Sequence, residues 1–421
     1  MNLKNKPVLL LQPPSLCKTF TRSGSVYPPL GLCQLAAVDR NDVIQVFDAE
    51  GEGVSIEKTE DFLIEIRPKI VGLSATSFTL GIVERWAHFC KSLGAVIIVG
   101  GPHASLAPKH TFDSCPSIDF IVRGEGEVVI NDLIEQILNN QFDQNLAGVC
   151  RRKENEIYID SEILQVKDFT ELPFPKLINM PIHNYWCPDA ISKPMITMMT
   201  TRGCPYRCEF CSSPAVMGKK IRGWSVQQVV DELKFLNIEL GVKEISFVDD
   251  VFTINRTRTI ELCNEIIKQE LKITWFCNAR ADHIDDEMAK VMKLAGCHQC
   301  YLGFESGSQA ILNNIKKGTT VEKLEKGAEI LKKNGINRSI GFVFGLPGEN
   351  NDSIRASIKL AQKLKPERLQ FTRFTPLVGS PLEHYKIIEN GFHKQGNDQV
   401  GVWISEAYKE CQADSWGKES W

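Results

Sequence analysis

The chain has 421 residues, of which 43% are hydrophobic and 24% are charged, a composition typical of a globular protein with more than one core. The formal net charge of -3 argues against binding nucleic acid or anionic membranes by bulk electrostatics. No apolar run approaches the roughly eighteen residues that span a bilayer, so no transmembrane segment is predicted. Fourteen cysteines without a signal peptide predict a reducing, cytoplasmic location, where clustered thiols bind metal more often than they form disulfides.

The first part of the chain, residues 7–140, alternates short apolar runs with segments whose apolar residues recur every three or four positions. This alternation predicts an α/β fold with a Rossmann-like doubly wound parallel sheet in residues 1–140. Such sheets bind ligands at the carboxyl ends of their strands. The predicted strands are Val8–Gln12, Val43–Asp48, Ile70–Ser74, Val96–Gly100 and Phe120–Val122.

Small or polar residues follow each of these five strands. They form the stretches QPPS at 12–15, DAEGEG at 48–53, SATS at 74–77, GGPH at 100–103 and RGEGE at 123–127. Any one of them is explained by a turn. Five in succession predict a ligand-binding face, because glycine lets a ligand approach the backbone and polar side chains supply hydrogen bonds.

A connector is predicted over residues 141–193, which contain a small hairpin and then a proline-rich stretch without periodicity. A second alternation of strands and helices occupies residues 194–382, and its six βα units predict a partial (βα)6 barrel of the TIM type. Residues 383–421 remain as a short C-terminal tail. The predicted barrel strands are Met195–Thr200, Glu244–Val248, Ile273–Asn278, Gln299–Phe304, Ser339–Phe344 and Arg368–Phe374.

Helix boundaries are also predicted in this second part. Ser225 with Gln228, and Thr319 with Glu322, have the spacing of capping boxes. Gly296 and Gly335 stand where helix C-terminal glycines belong. In the tail, three tryptophans either contact a substrate or pack into the core, and these are Trp403, Trp416 and Trp421.

The stretch TTRGCPYRCEFCSSP places three cysteines directly after the first barrel strand, at the mouth where barrel enzymes carry out chemistry. These are Cys204, Cys208 and Cys211. A structural zinc site needs four ligands, and no matching second pair of cysteines follows. Three thiolates suit a cubane iron–sulfur cluster whose fourth iron is left open. The alternative, three core cysteines on a turn, does not account for their density.

The motif CPYRCEFC resembles the CxxxCxxC loop of the radical S-adenosylmethionine enzymes. FVDDVF, YLGFESGS and GFVFGLPGE follow in that family's order. The resemblance implies that Cys204, Cys208 and Cys211 hold a 4Fe–4S cluster and that S-adenosylmethionine chelates the open iron. It also implies that a one-electron donor such as a flavodoxin or ferredoxin reduces the cluster, and that the methionine-derived sulfonium then yields a 5′-deoxyadenosyl radical.

The same resemblance implies further contacts with S-adenosylmethionine. Phe210 would lie near the adenine, and Gly341 and Gly345 would lie along the adenosine. Asp249 and Asp250 would lie near the methionyl ammonium, and Arg280 would lie near the methionyl carboxylate. Glu305 would lie near the ribose or the amine. A surface or helix-capping role is the alternative for the carboxylates.

Residues 7–140 resemble a cobalamin-binding domain through PPLGLCQLAA, GLSATSF, VGGPHAS and DFIVRGEGE. Domains that ligate cobalt carry Asp-x-His-x-x-Gly after the second strand, whereas this chain has Asp48, Glu50 and Gly53 at those positions. We therefore expect no protein histidine under the cobalt from this motif. We expect His103 to hydrogen-bond the cofactor or a neighbouring loop; the alternative is that it ligates cobalt. The remaining residues implied to surround cobalamin are Ser15, Ser74, Thr76, Gly100, Gly101, Gly124 and Glu125.

Together the two resemblances imply a cobalamin-dependent radical enzyme that methylates an unactivated carbon of a small-molecule, lipid or natural-product substrate. An oxidative cyclisation or rearrangement without methyl transfer is the first alternative. A non-catalytic iron–sulfur or zinc module is the second, and the strand-end motifs beyond the cysteines count against it. Cys297 and Cys300 are predicted to be buried structural thiols, and Cys187 has no assigned role.

Overall fold

The computed structural model describes residues 6–14, 25–141, 145–154, 156–385 and 398–411. The chain divides into two compact units. The first contains Met1–Trp186 with Ala215–Gly218, and the second contains Cys187–Pro214 with Lys219–Trp421. No helix within the described ranges is long and apolar enough to cross a membrane.

The first unit is built on a seven-stranded sheet in the order β2-β1-β3-β4-β5-β6-β7. The first five strands along the chain pair in parallel, which confirms the doubly wound arrangement. The predicted hairpin forms too, but it pairs antiparallel with β5 and so lengthens the sheet. The strands are β1 Val8–Gln12, β2 Ile44–Asp48, β3 Ile70–Ser74, β4 Val96–Gly100, β5 Phe120–Val122, β6 Val149–Lys153 and β7 Glu156–Tyr158.

Six helices accompany this sheet among the described residues: α1 Leu30–Ala37, α2 Ile56–Ile66, α3 Leu80–Ser92, α4 Pro102–Leu106, α5 Pro108–Ser114 and α6 Ile130–Leu138. The strands are apolar along nearly their whole length because helices cover both faces of a parallel sheet. Leu9, Val71 and Ile97 lie in one buried cluster with Trp86 of α3 and Phe112 of α5. This core fixes the strand ends that carry the polar loops.

The second unit contains six parallel strands in the order β15-β14-β13-β12-β11-β8, which confirms the partial barrel. Two short strands, β9 and β10, pair antiparallel on either side of the cysteine loop. The strands are β8 Met195–Met198, β9 Thr201–Arg202, β10 Arg222–Gly223, β11 Glu244–Phe247, β12 Thr274–Ala279, β13 Cys297–Glu305, β14 Asn337–Phe344 and β15 Arg368–Arg373.

The remaining described helices are α7 Ser213–Val216, α8 Val226–Lys234, α9 Arg256–Lys268, α10 Asp286–Leu294, α11 Gln309–Asn314, α12 Val321–Lys333, α13 Asn351–Leu364 and α14 Gln399–Cys411. The capping box at Ser225 is confirmed. The second one is wrong, because the N-cap is Thr320, whose hydroxyl accepts from Lys323 N, and a lysine at that position cannot complete a capping box. Gly296 and Gly335 have φ of 98° and 68°, which confirms their position after helix ends.

The described part of the tail is the helix α14, which packs beside β15. The Tyr408 hydroxyl accepts a hydrogen bond from Phe371 N at 2.9 Å. Trp403 is 5% exposed and donates from Nε1 to Asn351 Oδ1 at 2.9 Å, so it is a packing residue. Trp416 and Trp421 lie outside the described residues.

Candidate active site

The three clustered cysteines lie on the loop between β9 and α7, and each is partly exposed. Cys211 N donates to Cys208 O at 3.1 Å, so the last part of the loop is a tight turn. Glu209, inside that turn, is held by hydrogen bonds from both of its backbone groups to other segments of the second unit. Glu209 N donates to Ile315 O at 2.9 Å, and Glu209 O accepts from Leu382 N at 3.2 Å.

The thiols are close enough to affect one another electrostatically. The pKa of Cys211 is raised to about 11, chiefly by burial and to a lesser extent by the nearby Cys208, Asp250 and Cys204. Burial also raises the pKa of Cys208, while Lys317 and Arg280 act in the opposite direction. Two cations therefore face the loop, and they would stabilise thiolates bound to a cluster.

Within the described residues, no three His, Cys, Asp or Glu side chains converge on a point that could hold one metal ion. A tetrahedral zinc site requires such convergence. A cubane cluster does not, because each cysteine binds a different iron. Three thiols on one loop are the ligand set that a 4Fe–4S cluster with one open iron uses.

Arg280 follows β12 and is 6% exposed. Its guanidinium donates to both oxygens of Asp282, at 3.0 and 2.9 Å, and lies 3.8 Å above the ring of Tyr206. Tyr206 belongs to the cysteine loop, so the cation–π contact ties the loop to the end of β12. The Tyr206 hydroxyl also hydrogen-bonds His283 Nε2. Neither Tyr206 nor His283 carried a sequence signal beyond its place in a loop.

Glu305 ends β13 with a left-handed φ of 66°, beside a break in the strand register after Gly303. Its Oε1 accepts from Lys317 Nζ at 2.7 Å, and each side chain of this ion pair is 9% exposed. Lys317 Nζ also lies 5.8 Å from the ring centre of Phe210. The sequence did not reveal Lys317, because a lysine in the loop segment KKG has no distinguishing pattern.

The acidic pair after β11 divides into two different environments. Asp249 is fully buried, and its carboxylate accepts from Thr200 N at 2.5 Å, Thr200 Oγ1 at 2.6 Å and Thr201 Oγ1 at 2.9 Å. Asp250 is exposed and accepts from Ser213 Oγ at 2.7 Å. Asp249 therefore fixes the segment that leads into the cysteine loop, whereas Asp250 lies close enough to Cys204 and Cys211 to raise the pKa of both thiols.

The structure explains the two predicted glycines, Gly341 on β14 and Gly345 just after it, by contacts and backbone conformation within the protein. A Cβ on Gly341 would lie 2.3 Å from the Tyr301 hydroxyl. Gly345 has φ of 95°, and its N–H donates to Glu349 Oε2 at 2.6 Å. Burial raises the pKa of Glu349 to about 8. Contact of these glycines with adenosine stays a prediction.

In the first unit, Gly101 packs tightly against the loop that follows β3. It has φ of 92°, and a Cβ would lie 2.7 Å from both Ala75 O and Ser74 Oγ. Gly100 precedes it at the end of β4, and the Ser74 side chain is exposed at the end of β3. The absence of a side chain at Gly101 therefore lets the loops after β3 and β4 pack directly against each other.

Other residues predicted to contact cobalamin form contacts or hydrogen bonds with other residues of the first unit. Thr76 Oγ1 and Thr79 Oγ1 are 3.0 Å apart at the start of α3. A Cβ on Gly124 would lie 2.2 Å from Leu164 O, and Glu125 Oε2 accepts from Val166 N at 2.6 Å. Gly124 and Glu125 thus hold the segment around residue 165. Ser15 lies outside the described residues.

The DAEGEG turn is also anchored from within its own unit. Asp48 is 2% exposed and accepts from Gly51 N and from the Tyr185 hydroxyl, both at 2.8 Å. Burial raises the pKa of Asp48. Glu50 accepts from Gln12 Nε2 at 3.3 Å, and Gly53 has φ of 65° with open space around it.

His103 has both ring nitrogens engaged. Nδ1 is 2.9 Å from Ser77 Oγ, and Nε2 is 3.1 Å from His110 Nδ1. Burial lowers the pKa of His103, and His110 lowers it further. Cobalt ligation by His103 would require one of these hydrogen bonds to break.

The other cysteines of the barrel lie in its interior, as predicted for Cys297 and Cys300. Cys277 Sγ and Cys300 Sγ are 3.9 Å apart on the paired strands β12 and β13. Cys187 is buried as well.

Comparison with known proteins agrees with this geometry. The Radical SAM superfamily model matches residues 198–361, and the B12 binding domain model matches residues 18–134. An uncharacterized methyltransferase of Pyrococcus horikoshii, PH0819, is 33% identical over 391 residues, which cover 92% of this chain and 84% of that protein. The anaerobic magnesium-protoporphyrin IX monomethyl ester cyclase of Rubrivivax gelatinosus is 28% identical, covering 83% of this chain and 64% of the cyclase.

Among solved structures, the radical S-adenosylmethionine methyltransferase TsrM from Kitasatospora setae, with cobalamin and a 4Fe–4S cluster bound, has a TM-score of 0.74. It is 18% identical, and the match covers 90% of this chain and 77% of TsrM. The chain belongs to the cobalamin-dependent radical S-adenosylmethionine enzymes. The cofactors of that family are a 4Fe–4S cluster, S-adenosylmethionine and cobalamin, and its members need a reductant and a small-molecule substrate.

Proposed function

We propose that this enzyme methylates an unactivated carbon atom of a small-molecule, lipid or natural-product substrate. The observation that carries the proposal is the loop with Cys204, Cys208 and Cys211, which lies beside two buried cations in a chain that also has a B12-binding unit. The relationship to PH0819, named a methyltransferase, supports methyl transfer over the other reactions of the family.

When bound, the cofactors supply hydrogen abstraction by a carbon radical and a transferable methyl group. The chain's own residues hold and orient them. The three cysteines would bind the cluster, and Arg280 and Lys317 would offset the thiolate charge. Asp250 is the acidic residue whose exposed carboxylate would meet the methionyl ammonium.

The second unit also contains groups that keep this arrangement rigid. Asp249 fixes the strand end before the loop through Thr200 and Thr201. Tyr206 stacks on Arg280 and so holds the loop from the other side. Preorganisation of this kind supports catalysis, because a shift of the reacting groups by one ångström lowers the rate severalfold or more.

For the first unit, we propose that cobalamin lies against the loops after β3 and β4, where Ser74 is exposed and Gly100 and Gly101 hold the two loops together. The DAEGEG turn supplies no imidazole, and both nitrogens of His103 are engaged. Neither the DAEGEG turn nor His103 would therefore supply an imidazole ligand to cobalt. The electron donor we propose is a flavodoxin or ferredoxin in a reducing cytoplasm.

The first experiment tests the cluster. Anaerobically reconstituted wild-type protein should show a broad visible band and bind iron, and Cys208→Ala should lose both. Cys263→Ala is the matched control, because Cys263 is a buried thiol of the same unit on α9. It should retain the band. A colourless, zinc-loaded wild-type protein would contradict the proposal.

The second experiment tests methyl transfer. Candidate substrates are incubated with S-adenosylmethionine labelled in its methyl group, and products are analysed by mass spectrometry. A labelled methyl group on carbon supports the proposal. A product that loses hydrogen without gaining the label would favour oxidative cyclisation, the alternative supported by the relationship to the cyclase of Rubrivivax gelatinosus.

A further inference from the structure

One face of strands β14 and β15 is turned away from the helices and toward the interior of the barrel. Phe371 of β15 is fully buried and packs on Tyr408 of α14, with ring centres 5.1 Å apart. Phe342 of β14 is also fully buried and stacks on Phe371, with ring centres 5.4 Å apart. Side chains alternate between the two faces of a strand, so the register partners Gly341 and Gln370 face the interior.

Tyr301 of β13 reaches into the same interior space. A Cβ on Gly341 would lie 2.3 Å from the Tyr301 hydroxyl, so the phenol extends over β14 where the glycine leaves room for it. The Tyr301 side chain is 36% exposed although β13 has a strand on either side, which means that solvent reaches it from within the barrel. Among the residues that the structure describes, neither the Tyr301 hydroxyl nor the Gln370 amide has a hydrogen-bond partner.

The layer beneath these two groups is closed by contacts within the protein. Gln299, two residues before Tyr301 on β13, donates from Nε2 to Asp189 Oδ1. Arg368, two residues before Gln370 on β15, has its Nη1 3.6 Å from the same oxygen of Asp189. The polar groups that lack partners therefore begin one layer above this closed floor.

The layer above Tyr301 borders the cysteine loop. Gly303, two residues after Tyr301, faces the interior as well, and a Cβ on it would lie 3.3 Å from Lys317 Nζ. Lys317 forms the ion pair with Glu305, and its Nζ lies 5.8 Å from the ring centre of Phe210 in the cysteine loop. Two residues of a strand span about 6.6 Å. A group bound at Tyr301 would therefore lie one such step beneath the ion pair that borders the loop.

The protonation state of the phenol defines what it can bind. Desolvation within the barrel raises the pKa of Tyr301 above its ordinary value, and the nearby Glu305 and Asp189 raise it further. The hydroxyl is therefore protonated at neutral pH and can donate a hydrogen bond. The Gln370 amide offers both donors and an acceptor.

The charges around this layer are already paired with each other. Glu305 is paired with Lys317 above it, and Asp189 is paired with Arg368 below it. A charged group entering between these pairs would be desolvated without a partner of its own. An alkyl chain would leave the two polar groups of the layer unpaired, which is unfavourable as well. The layer therefore suits a group that is uncharged and forms hydrogen bonds.

We propose that Tyr301 and Gln370 bind the substrate, and that the part of the substrate that enters the barrel is an uncharged group with a hydrogen-bonding oxygen, such as a carboxamide or a lactam. Tyr301 donates a hydrogen bond to that oxygen, and the Gln370 amide binds the same group from the next strand. The inference rests on the proposed function, because it concerns the substrate of that reaction. It narrows the substrate class by disfavouring carboxylates and lipid alkyl chains at this position.

Calorimetric titration of the full chain tests the site with three probes that share one ring, namely benzamide, benzoate and toluene. The protein carries its reconstituted cluster and saturating S-adenosylmethionine, and no reductant is added. Benzamide should bind at millimolar concentration or below, and the other two probes at least tenfold more weakly. Tyr301→Phe and Gln370→Leu should each weaken benzamide binding at least fivefold. Tyr158→Phe is the matched control, since Tyr158 is an exposed tyrosine of the first unit, and it should leave the binding unchanged.

The inference would be overturned if benzamide did not bind, if the three probes bound equally, or if Tyr301→Phe bound benzamide as the wild type does. The affinity for S-adenosylmethionine is measured separately, and a loss in Tyr301→Phe would assign the phenol to that cofactor and refute substrate binding. If the probes show the expected preference and no substrate gains a methyl label, the binding site stands and the proposed function fails. If a substrate is methylated with the same KM and kcat by Tyr301→Phe, the proposed function stands and this inference fails.

Discussion

The buried carboxylate of Asp249 provides the sharpest test of the site. The substitution Asp249→Asn keeps the size of the side chain and removes its charge. Three donors point at this carboxylate, from Thr200 N, Thr200 Oγ1 and Thr201 Oγ1. Arg258, which donates to Thr200 Oγ1 at 3.2 Å, faces the same charge.

The magnitude follows from these contacts. A hydrogen bond to a charged group contributes about 1.5–3 kcal/mol and a neutral one about 1 kcal/mol. Neutralising an acceptor of three bonds should therefore cost about 3 kcal/mol. For a unit of this size, about 1 kcal/mol corresponds to roughly 2–4 °C, so the melting temperature should fall by about 6–12 °C. Iron content after reconstitution should fall as well, because the strand end before the cysteine loop is no longer fixed.

Thermal unfolding, iron analysis and calorimetric binding of S-adenosylmethionine measure these effects. Asp250→Asn is the control, since Asp250 is exposed and bonded to Ser213. It should leave the melting temperature within about 2 °C, as surface substitutions usually do, and weaken S-adenosylmethionine binding. If Asp249→Asn instead kept full stability and iron content but lost S-adenosylmethionine affinity, Asp249 would be a ligand of the ammonium and our reasoning would be wrong.

Three further predictions concern other parts of the molecule. Burial raises the pKa of Glu349 in the folded state to about 8 from an ordinary value of 4.5. The folded state therefore holds this proton more tightly than the unfolded state does, and the stability of the wild type falls as pH rises between these two values. Glu349→Gln should remove this loss, so the melting temperature of the variant relative to wild type should rise from pH 5 to 8; a difference that does not change with pH would contradict the assignment. Gly101→Ala should lower the free energy of unfolding more than Gly94→Ala does, and it should also impair corrin binding. Both glycines have φ near 90°, but only at Gly101 would a new Cβ lie 2.7 Å from neighbouring atoms. If chemical denaturation gave equal losses of stability for the two variants, backbone strain alone would account for both. Lys317→Met should cost about 3–5 kcal/mol by leaving the Glu305 charge buried and unpaired, and a second substitution, Glu305→Gln, should restore part of it in a double-mutant cycle.

The fold was predictable because its signals are local. Four of the five strands of the first sheet begin and end at the predicted residues, since each is a short apolar run with a polar loop after it. The position of the cysteine loop followed from its motif. The capping box predicted at Thr319 was wrong because the adjacent Thr320 is the N-cap of that helix, and sequence alone does not tell which of two neighbouring threonines takes that position.

The partners of the site residues could not be predicted. The pairing of Lys317 with Glu305 joins residues on two different segments, and that of Tyr206 with Arg280 joins residues far apart in sequence; neither pair has a periodic relation. Asp249 and Asp250 are adjacent in sequence, so their different environments could not be predicted. Asp249 is the buried one because Thr200 and Thr201 donate hydrogen bonds to its carboxylate, whereas Asp250 is exposed. The partners of these side chains are set by tertiary contacts, and neither composition nor spacing predicts a particular tertiary contact.

The helix α14 has a consequence for the colloidal behaviour of the protein. A partial barrel, unlike a closed one, has edge strands whose backbone groups can pair with another chain. β15 is such an edge, and α14 packs beside it. The Tyr408 hydroxyl takes up the N–H of Phe371 that a foreign strand would otherwise bind. The C-terminal helix therefore protects the open barrel against edge-to-edge aggregation.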